Sequence, residues 1–221
     1  MSTPPPIRLI CFDLDGTLLD RTVFVWSTLH EHFPSDPLRR KQAWDDYFAH
    51  RISYAEWFHC DLELLRAGGA TRERIKEVLA GLHPSRGAHE TLRELRERGY
   101  RLALISGSLD LALTQFFHPS LFDHVLINRV HFDESGRISG GEPTPFDLDG
   151  KVAGLYELAW RESLNVAQCA FVGDNFNDLP VMRAAGFSIG IHIKHPEVHD
   201  AVNVAIADDD LRAILPYFPK L

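Results

Sequence analysis

Three short, mostly apolar runs in this chain each stop at a cluster of polar residues. The runs and the clusters that follow them are Ile7–Phe12 with Asp13-Leu-Asp15, Arg101–Ile105 with Ser106-Gly107, and Cys169–Val172 with Gly173-Asp174. Runs of this length predict buried strands. Helical periodicity at 87–98 and 151–162 separates them, and this alternation predicts an α/β fold with a doubly wound parallel sheet. Such sheets bind ligands at the carboxyl ends of their strands, where the polar clusters lie.

Other segments extend this pattern. Residues 124–127, 187–191 and 201–206 are further strand candidates. Residues 129–142 alternate in character around Asp133-Glu-Ser-Gly136, a sequence typical of a hairpin turn. We therefore expect a β-flap beside the core.

The stretch from residue 20 to residue 82 has a different character. It carries no strand signal, and its helix-start signals are Asp36 before Pro37, the capping box Ser53-Tyr-Ala-Glu56, and Thr71. Aromatic residues at helical spacing follow the first two of these signals. We predict a catalytic core formed by residues 1–19 and 83–221, with residues 20–82 inserted as a helical cap.

Charge and composition disfavour several classes of function. With 23 basic and 31 acidic residues the formal net charge is −8, whereas a nucleic-acid binder normally carries a basic excess. No run approaches the roughly 20 apolar residues of a membrane span, and residues 1–6 lack the regions of a signal peptide. Three separated cysteines favour a reducing compartment. We expect a cytoplasmic protein with no nucleic-acid or membrane partner.

Asp13 and Asp15 directly follow the first predicted strand. Carboxylates crowded at a strand end repel each other unless a cation lies between them. Carboxylate oxygens suit Mg²⁺, which usually keeps some of its waters and accepts a substrate phosphate oxygen. The sequence Asp13-Leu-Asp-Gly-Thr17 is therefore suggestive of a magnesium site, although a polar turn would also explain it when it is taken alone.

Other clusters supply complementary chemistry. Asp174 and Asp178 follow another predicted strand, and a helix N-cap would explain one of these carboxylates but not both. Ser106 and Gly107 are predicted to end a strand and open a helix, whose free N–H groups would bind a phosphate-sized anion. A simple N-cap serine is equally compatible with that pair. Lys151 would supply the fixed cation that balances two carboxylates and a phosphate dianion.

Taken in order, these motifs resemble the haloacid-dehalogenase-like (HAD) superfamily of phosphotransferases. The resemblance covers nearly the whole chain and is closest to the phosphoserine-phosphatase-like branch, in which a helical cap follows the first motif and a β-flap precedes the lysine. It implies a Rossmann-like parallel-sheet core and Mg²⁺ as cofactor. It also implies hydrolysis of a small phosphorylated metabolite through an aspartyl-phosphate intermediate.

The resemblance assigns roles by position. Asp13 would be the nucleophile, and Asp15 would protonate the leaving oxygen and then activate water. Asp13, the backbone carbonyl of Asp15, and Asp174 would hold the metal, with Asp178 supporting the metal and the lysine from behind. The residues that would bind phosphate are Thr17, Ser106, Gly107, Lys151 and Asn177.

The resemblance weakens where the substrate is chosen. Phosphoserine phosphatases carry a glutamate shortly after the first motif and an arginine in the cap, which grip the amino and carboxylate groups. Ungapped counting places Thr22 at the first position and Asp61 near the second. Asp20 or Arg51 could substitute for them. Phosphoserine is therefore a candidate substrate.

Two other functions fit the same motifs. A phosphotransferase or mutase of this superfamily would pass the phosphoryl group to another hydroxyl instead of water. A non-catalytic regulatory protein on the same fold is disfavoured, because Asp13, Asp15 and Lys151 are all retained.

Three histidines near the end of the chain invite a second metal site. Pro196 interrupts any helical face that His192, His195 and His199 could share, and no acidic residue is spaced to complete the site. We expect them to form a loop at the rim of the catalytic face.

Overall fold

The computed structural model describes residues 6–20 and 22–221, and within them it contains a seven-stranded sheet and a separate two-stranded pair. The strands are Leu9–Phe12 (β1), Leu19–Asp20 (β2), His83–Pro84 (β3), Arg101–Leu109 (β4), His124–Phe132 (β5), Ile138–Glu142 (β6), Cys169–Gly173 (β7), Phe187–Ile191 (β8) and Val204–Ile206 (β9). The α-helices are Val25–His32 (α1), Pro37–Phe48 (α2), Tyr54–Ala67 (α3), Arg72–Leu79 (α4), Ala88–Glu97 (α5), Asp110–Phe116 (α6), Gly150–Arg161 (α7), Leu179–Ala184 (α8) and Pro196–Ala201 (α9). Short 3₁₀ turns lie at Pro119–Leu121, Val166–Gln168, Phe176–Asp178 and Leu211–Tyr217.

The large sheet confirms the predicted α/β class. Its strand order is β6-β5-β4-β1-β7-β8-β9, and every neighbouring pair is parallel except β5 with β6. β1 is fully buried at the centre of this sheet, and Phe12 lies opposite Leu104 of β4 and Val172 of β7. Because these strands are parallel and in register, the polar residues that follow them converge at one edge of the sheet.

The predicted insertion lies between two short strands. β2 and β3 pair antiparallel, with Leu19 opposite Pro84 and Asp20 opposite His83, so the chain leaves and re-enters the core at one ladder. Helices α1 to α4 lie between them. On this ground we propose the division into a core of residues 1–19 and 83–221 and a cap of residues 20–82. Residues 1–5 and Arg21 of those ranges lie outside the described residues.

The predicted helix starts in the cap are confirmed. The Asp36 side chain accepts hydrogen bonds from the Leu38 and Arg39 N–H groups, and Ser53 with Glu56 forms the reciprocal capping box. Thr71 caps α4 in the same way. Each cap satisfies N–H groups that have no partner within the helix, which fixes where the helix begins.

Helix α1 was not predicted. Its N-cap residue, Phe24, makes no side-chain capping bond, so the usual sequence signal is missing. The helix is held by tertiary contacts instead, because Val25 and Leu29 are fully buried and the Val25 N–H donates to the Asp15 carboxylate. A helix that is stabilised by tertiary contacts is difficult to predict from its own sequence.

The prediction that Ser106-Gly107 opens a helix is wrong. β4 continues to Leu109, and α6 begins only at Asp110. The reason is that β5 is longer than predicted and offers a pairing partner as far as Asn128, opposite Leu109. The register shifts between Ile105 and Leu109, so Ser106-Gly107 lies in an irregular stretch of strand. Irregularities of this kind re-aim side chains and are frequent beside active sites.

The predicted flap is confirmed as the β5–β6 hairpin. Arg129 lies opposite Glu142, and the Asp133 carboxylate accepts from the Ser135 and Arg137 N–H groups in the turn. The hairpin also contacts the cap, since the Arg72 N–H donates to the Gly136 carbonyl at 2.8 Å. The flap therefore braces the cap from one side.

Two further predictions concern the last strand of the sheet and the absence of a membrane span. The predicted strand at 201–206 is shorter, because Pro196 starts helix α9, which runs to Ala201 and leaves only β9 as strand. In the described part of the chain, no helix is both long enough and apolar enough to cross a bilayer. The segment that lacks signal-peptide features lies, apart from Pro6, outside the described residues.

The cap of α2 can be tested through stability. Asp36→Ala should lower the free energy of unfolding by about 1 kcal/mol, because two helix N–H groups lose their acceptor. Urea denaturation followed by circular dichroism measures the change. Asp36→Asn is the matched control, since asparagine caps about as well as aspartate. A loss in Asp36→Asn equal to that in Asp36→Ala would assign the effect to charge and contradict the capping role.

Candidate active site

The candidate site lies where β1, β4 and β7 end. Asp13 follows β1 and is 3% exposed, and its N–H donates to the Val172 carbonyl of β7 at 3.0 Å. Ser106 lies in β4 and Asp174 follows β7, with exposures of 1% and 0%. The parallel register thus brings three distant parts of the sequence together in a buried position.

Lys151 is the buried cation of the site. It lies in the first turn of α7 and is fully buried, with Nζ 3.0 Å from Asp13 Oδ1 and 2.6 Å from Asp178 Oδ1. Burial alone lowers the pKa of this ammonium, but Asp13 and Asp178 raise it by more, so that the net pKa is raised. Lys151 is therefore a fixed positive charge, and its ion pair with Asp178 keeps the ammonium in place.

Asp13, Asp174 and Asp178 form a buried acidic cluster. One carboxylate oxygen from each lies within 4.8 Å of the others. Both oxygens of Asp178 are already engaged, because Oδ1 accepts from Lys151 and Oδ2 accepts from the Asp174 and Asn175 N–H groups. Asp178 therefore suits a supporting position better than that of a metal ligand.

Asp174 has one carboxylate oxygen that no donor contacts among the described residues. Its Oδ1 accepts from the Thr17 hydroxyl at 3.0 Å, whereas Oδ2 is buried without a hydrogen-bond partner among the described residues. Burial raises the pKa of Asp174 well above its usual value, and the Asp178 and Asp13 carboxylates raise it further. A buried carboxylate oxygen without a donor, beside two further carboxylates, fits a divalent cation with hard oxygen ligands.

Asp15 is attached to the cap. Its Oδ2 accepts from the Val25 N–H at the start of α1, at 2.6 Å. Burial and the Asp13 carboxylate raise the pKa of Asp15 to about 7, while the bond from Val25 opposes the shift. A carboxyl group that titrates near neutrality can give and take a proton under ordinary conditions.

The other predicted phosphate ligands differ in how they are placed. Ser106 Oγ accepts from the Ser108 N–H, and the Gly107 carbonyl accepts from Trp26 Nε1 at 2.9 Å. Asn177 is 8% exposed and lines the pocket described below. Thr17 is fully buried, and its hydroxyl is directed to Asp174. Thr17 is therefore better suited to positioning a carboxylate than to binding phosphate.

A pocket opens above Asp13 between the core and the cap. It encloses about 710 Å³ of empty space, its open mouth included. The core lines one end with Asp13, Asp15, Ser106, Gly107, Ser108, Asp147, Leu148, Phe176 and Asn177. The remaining lining residues are Phe24, Trp26, Ser27, Arg40, Trp44, Tyr54, Trp57, Phe58 and Asp61. The pocket thus has a polar end formed by the core and a largely aromatic end formed by the cap.

Several of these lining residues were not singled out from the sequence. Phe24 and Trp26 belong to the start of α1, which had no capping signal. Asp147 lies in an irregular segment between the flap and α7, where no periodicity assigns it a neighbour. Its place four residues before Lys151 is the one sequence signal that points toward the site.

The four residues considered for substrate selection lie in different parts of the structure. Asp61 lines the pocket and pairs with His30 at 3.2 Å. Thr22 and Arg51 are not among the described lining residues: the Thr22 hydroxyl bonds Thr28, and Arg51 pairs with Asp46. Asp20 borders a separate outer pocket beside the histidine loop. Only Asp61 of these four is therefore placed to contact a leaving group.

The histidine loop lies at the rim, as predicted. The His192 ring lies 3.0 Å from the Gly16 carbonyl and 3.1 Å from that of Asp209, and His195 packs edge-on against Phe176. His199 pairs with the exposed Asp200. Each histidine has a different partner, so the described residues form no shared ligand set here.

Comparison with known proteins agrees with this geometry. The phosphoserine phosphatase of Methanocaldococcus jannaschii is 26% identical over 215 residues, which cover 95% of this chain and 97% of that protein. The phosphoserine phosphatase of Lactococcus lactis is 27% identical over 220 residues, or 96% of each chain. A solved structure of a phospho-aspartyl intermediate analogue of phosphoserine phosphatase superposes with a TM-score of 0.74 at 25% identity, covering 97% of this chain and all of that one.

The match to a protein family spans most of the chain. Residues 10–183 match the haloacid dehalogenase-like hydrolases, a range that contains the candidate site residues from Asp13 to Asp178. The seven-stranded sheet and the relatives place the chain in the phosphoserine-phosphatase-like branch. This chain therefore belongs to the haloacid dehalogenase-like hydrolase family and is a phosphatase, that is, a phosphoric monoester hydrolase, of that family.

Proposed function

We propose that this protein is a Mg²⁺-dependent phosphomonoesterase that hydrolyses a small phosphorylated metabolite through an aspartyl-phosphate on Asp13. The observation that carries the proposal is the position of Asp13. Its carboxylate lies 3.0 Å from the buried Lys151 ammonium and beside the Asp174 carboxylate, at the polar end of the pocket. A carboxylate fixed by a neighbouring cation, at the end of a pocket, is positioned to act as a nucleophile toward a phosphoryl group.

The proposed metal ligands are Asp13, the backbone carbonyl of Asp15, and Asp174. The free Oδ2 of Asp174 and its Thr17 hydrogen bond fit this role, since a second partner orients a metal-binding carboxylate. When bound, Mg²⁺ would neutralise the charge that builds up as a carboxylate and a phosphate approach each other. Asp178 is proposed to hold Lys151 and the Asp174 loop in place.

The chemistry divides between two aspartates. Asp13 attacks phosphorus, the bond from phosphorus to the ester oxygen breaks, and Asp15 gives that oxygen a proton. Asp15 then takes a proton from the water that attacks the aspartyl-phosphate, which releases inorganic phosphate and restores both carboxyl groups. Lys151, Ser106 and the Gly107 N–H are proposed to hold the phosphoryl oxygens, since positioning and electrostatics dominate such transfers.

Transfer of the phosphoryl group to another hydroxyl is the alternative reaction. Asp15 would serve it equally well, because the acceptor hydroxyl also loses a proton on attack. Product analysis separates the two, since only hydrolysis releases one inorganic phosphate for each substrate consumed. A cytoplasmic location stays a prediction from the sequence.

The nucleophile is tested by Asp13→Asn. The amide is nearly isosteric but does not form an acyl phosphate, so phosphate release should fall at least about a thousandfold. Beryllium fluoride, a phosphate mimic, should bind the wild-type protein at Asp13 and not the variant, as followed by fluorine NMR. Thermal denaturation checks that the variant folds. Substantial turnover by a verified, folded Asp13→Asn protein would disprove the assignment.

The metal is tested through Thr17. Chelation should remove activity and Mg²⁺ should restore it, with Ca²⁺ a poor substitute because it prefers more ligands and looser geometry. Thr17→Val should weaken Mg²⁺ binding by about 10–100-fold, because Asp174 loses its orienting donor. Calorimetric titration with Mg²⁺ measures this without turnover. Thr17→Ser keeps the hydroxyl and should bind Mg²⁺ nearly as wild type does; full activity in excess chelator would refute the proposal.

Phosphoserine should not be preferred by a large factor over other small phosphomonoesters. The glutamate and arginine expected for its amino and carboxylate groups are replaced at their ungapped positions by Thr22, which does not line the pocket, and Asp61. A site without dedicated partners loses the strong discrimination that buried polar pairing gives. Steady-state kcat/KM for phosphoserine, phosphothreonine, phosphoethanolamine and a sugar phosphate decides the point. A phosphoserine preference of about a thousandfold, or ~4 kcal/mol, would show it wrong.

A further inference from the structure

The Gly107 carbonyl is held by two side chains that come from different parts of the molecule. Trp26 Nε1, in helix α1 of the cap, donates to this oxygen at 2.9 Å, and Asn128 Nδ2, in β5 of the core, donates to it at 2.7 Å. Asn128 is fully buried, and its Oδ1 accepts from the Thr144 N–H at 2.7 Å, so its NH₂ group faces Gly107. Side-chain donors thus occupy both lone pairs of one backbone carbonyl.

The sheet itself does not fix this carbonyl. β1 pairs with β4 only as far as Leu104, and the register between β4 and β5 shifts between Ile105 and Leu109. Among the described residues, neither neighbouring strand pairs with Gly107. The missing side chain at this position makes room for the Asp147 carboxylate, with which a Cβ would collide. Because glycine has more backbone freedom than any other residue, a glycine outside the ladder depends on other contacts for its orientation.

The peptide unit between Gly107 and Ser108 is held at both ends. Trp26 and Asn128 bind its carbonyl, and its N–H, that of Ser108, donates to Ser106 Oγ at 3.3 Å. Ser106 is 1% exposed and lines the pocket. A hydroxyl that accepts a bond on one side donates its proton on another side. The position of this peptide therefore sets the direction in which the Ser106 hydroxyl donates.

Trp26 is itself fixed by its surroundings in the cap. Its ring packs edge-on against Phe58 of α3, with 5.7 Å between the ring centroids, and stacks on His30 at 6.4 Å. The neighbouring Val25 N–H donates to the Asp15 carboxylate at 2.6 Å. Two consecutive residues at the start of α1 thus bind two separate parts of the site, and the indole N–H is an oriented donor.

The ring and the N–H of Trp26 serve separable purposes. Trp26 is one of the aromatic residues that line the pocket, so its ring offers apolar surface to a leaving group. Its N–H is engaged by the Gly107 carbonyl and acts on the phosphate end of the pocket. A wall of the pocket needs only the ring, whereas control over Gly107 needs the N–H.

We propose that Trp26 is a positioning residue for phosphate binding, whose indole N–H fixes the Gly107–Ser108 peptide so that the Ser106 hydroxyl and the Gly107 N–H meet the phosphoryl oxygens. This proposal rests on the phosphatase function proposed above and assigns part of its phosphate site to the cap. The physical basis is preorganisation, since donors that already point at an anion do not have to reorient when it binds.

Binding of inorganic phosphate tests the proposal, because this ligand has no leaving group and reports only on the phosphate end of the pocket. Trp26→Phe keeps an aromatic ring against Phe58 and removes the N–H. Calorimetric titration in the presence of Mg²⁺ should show phosphate binding about fivefold more weakly than to the wild-type protein, as expected for one neutral hydrogen bond. Mg²⁺ affinity without phosphate should stay unchanged, because the indole bonds Gly107 and not a proposed metal ligand. Unchanged phosphate affinity, or an equal loss of Mg²⁺ affinity, would overturn the proposal.

Two further variants separate the N–H from the ring. Site-specific replacement of Trp26 by 3-benzothienylalanine puts sulfur in place of the N–H, keeps the size of the ring, and should give the same fivefold loss. Trp160→Phe is the matched control, since it makes the same change at a tryptophan of α7 that is 75% exposed, and phosphate affinity should stay within about twofold of wild type. Thermal denaturation checks folding, and the benzothienyl variant decides if Trp26→Phe does not fold. Wild-type affinity in the benzothienyl variant, or an equal loss in Trp160→Phe, would contradict the proposal.

A double-mutant cycle with Ser106→Ala shows whether Trp26 acts through Ser106. Without the Ser106 hydroxyl, Trp26→Phe should weaken phosphate binding by no more than about twofold, the part that acts through the Gly107 N–H. A full fivefold loss in the Ser106→Ala background would make the two residues independent and overturn the proposal. Because these measurements need no hydrolysis, a failure of the proposed catalytic function in the Asp13→Asn experiment remains distinguishable from a failure here.

Discussion

The buried ion pairs of Lys151 are the interaction on which the rest of the site depends. The acidic cluster would be strongly destabilising in a buried position without a cation, since removing one partner of a buried pair typically costs several kcal/mol. Lys151 compensates Asp13 on one side and Asp178 on the other. The second oxygen of Asp178 binds the N–H groups of the Asp174 loop. Asp178 therefore serves two purposes: it pairs with the Lys151 ammonium, and it fixes the loop that carries Asp174.

The cap completes the site as well as covering it. The first N–H of α1 binds Asp15, and the indole of Trp26 binds the Gly107 carbonyl. The Tyr54 hydroxyl, at the start of α3, reaches Asn128 of the core. These contacts tie the polar end of the pocket to its largely aromatic end, so a change in the position of the cap would also move groups at the polar end. In the proposed function, the core carries the phosphate chemistry and the cap contributes to the choice of substrate.

Much of the architecture could be predicted because its signals are local. The caps at Asp36 and Ser53 and the flap turn at Asp133 act through neighbouring backbone groups, and each was found where expected. What failed depended on distant partners. β4 extends beyond Ile105 because β5 pairs with it, and α1 forms because the core buries its apolar face. No propensity within either segment reports those partners.

Periodicity along the chain indicates the alternation of strands and helices in the core, and the Asp13, Ser106, Lys151 and Asp174 motifs indicate which residue types can reach the site. How those groups face one another follows from contacts between distant parts of the chain. The tertiary structure directs the Thr17 hydroxyl to Asp174, leaves one Asp174 oxygen without a donor among the described residues, and sets Asp147 against Gly107. The physical reason is that hydrogen bonds and charge pairing act through space over a few ångströms, between residues such as Thr17 and Asp174 that are 157 positions apart in the chain.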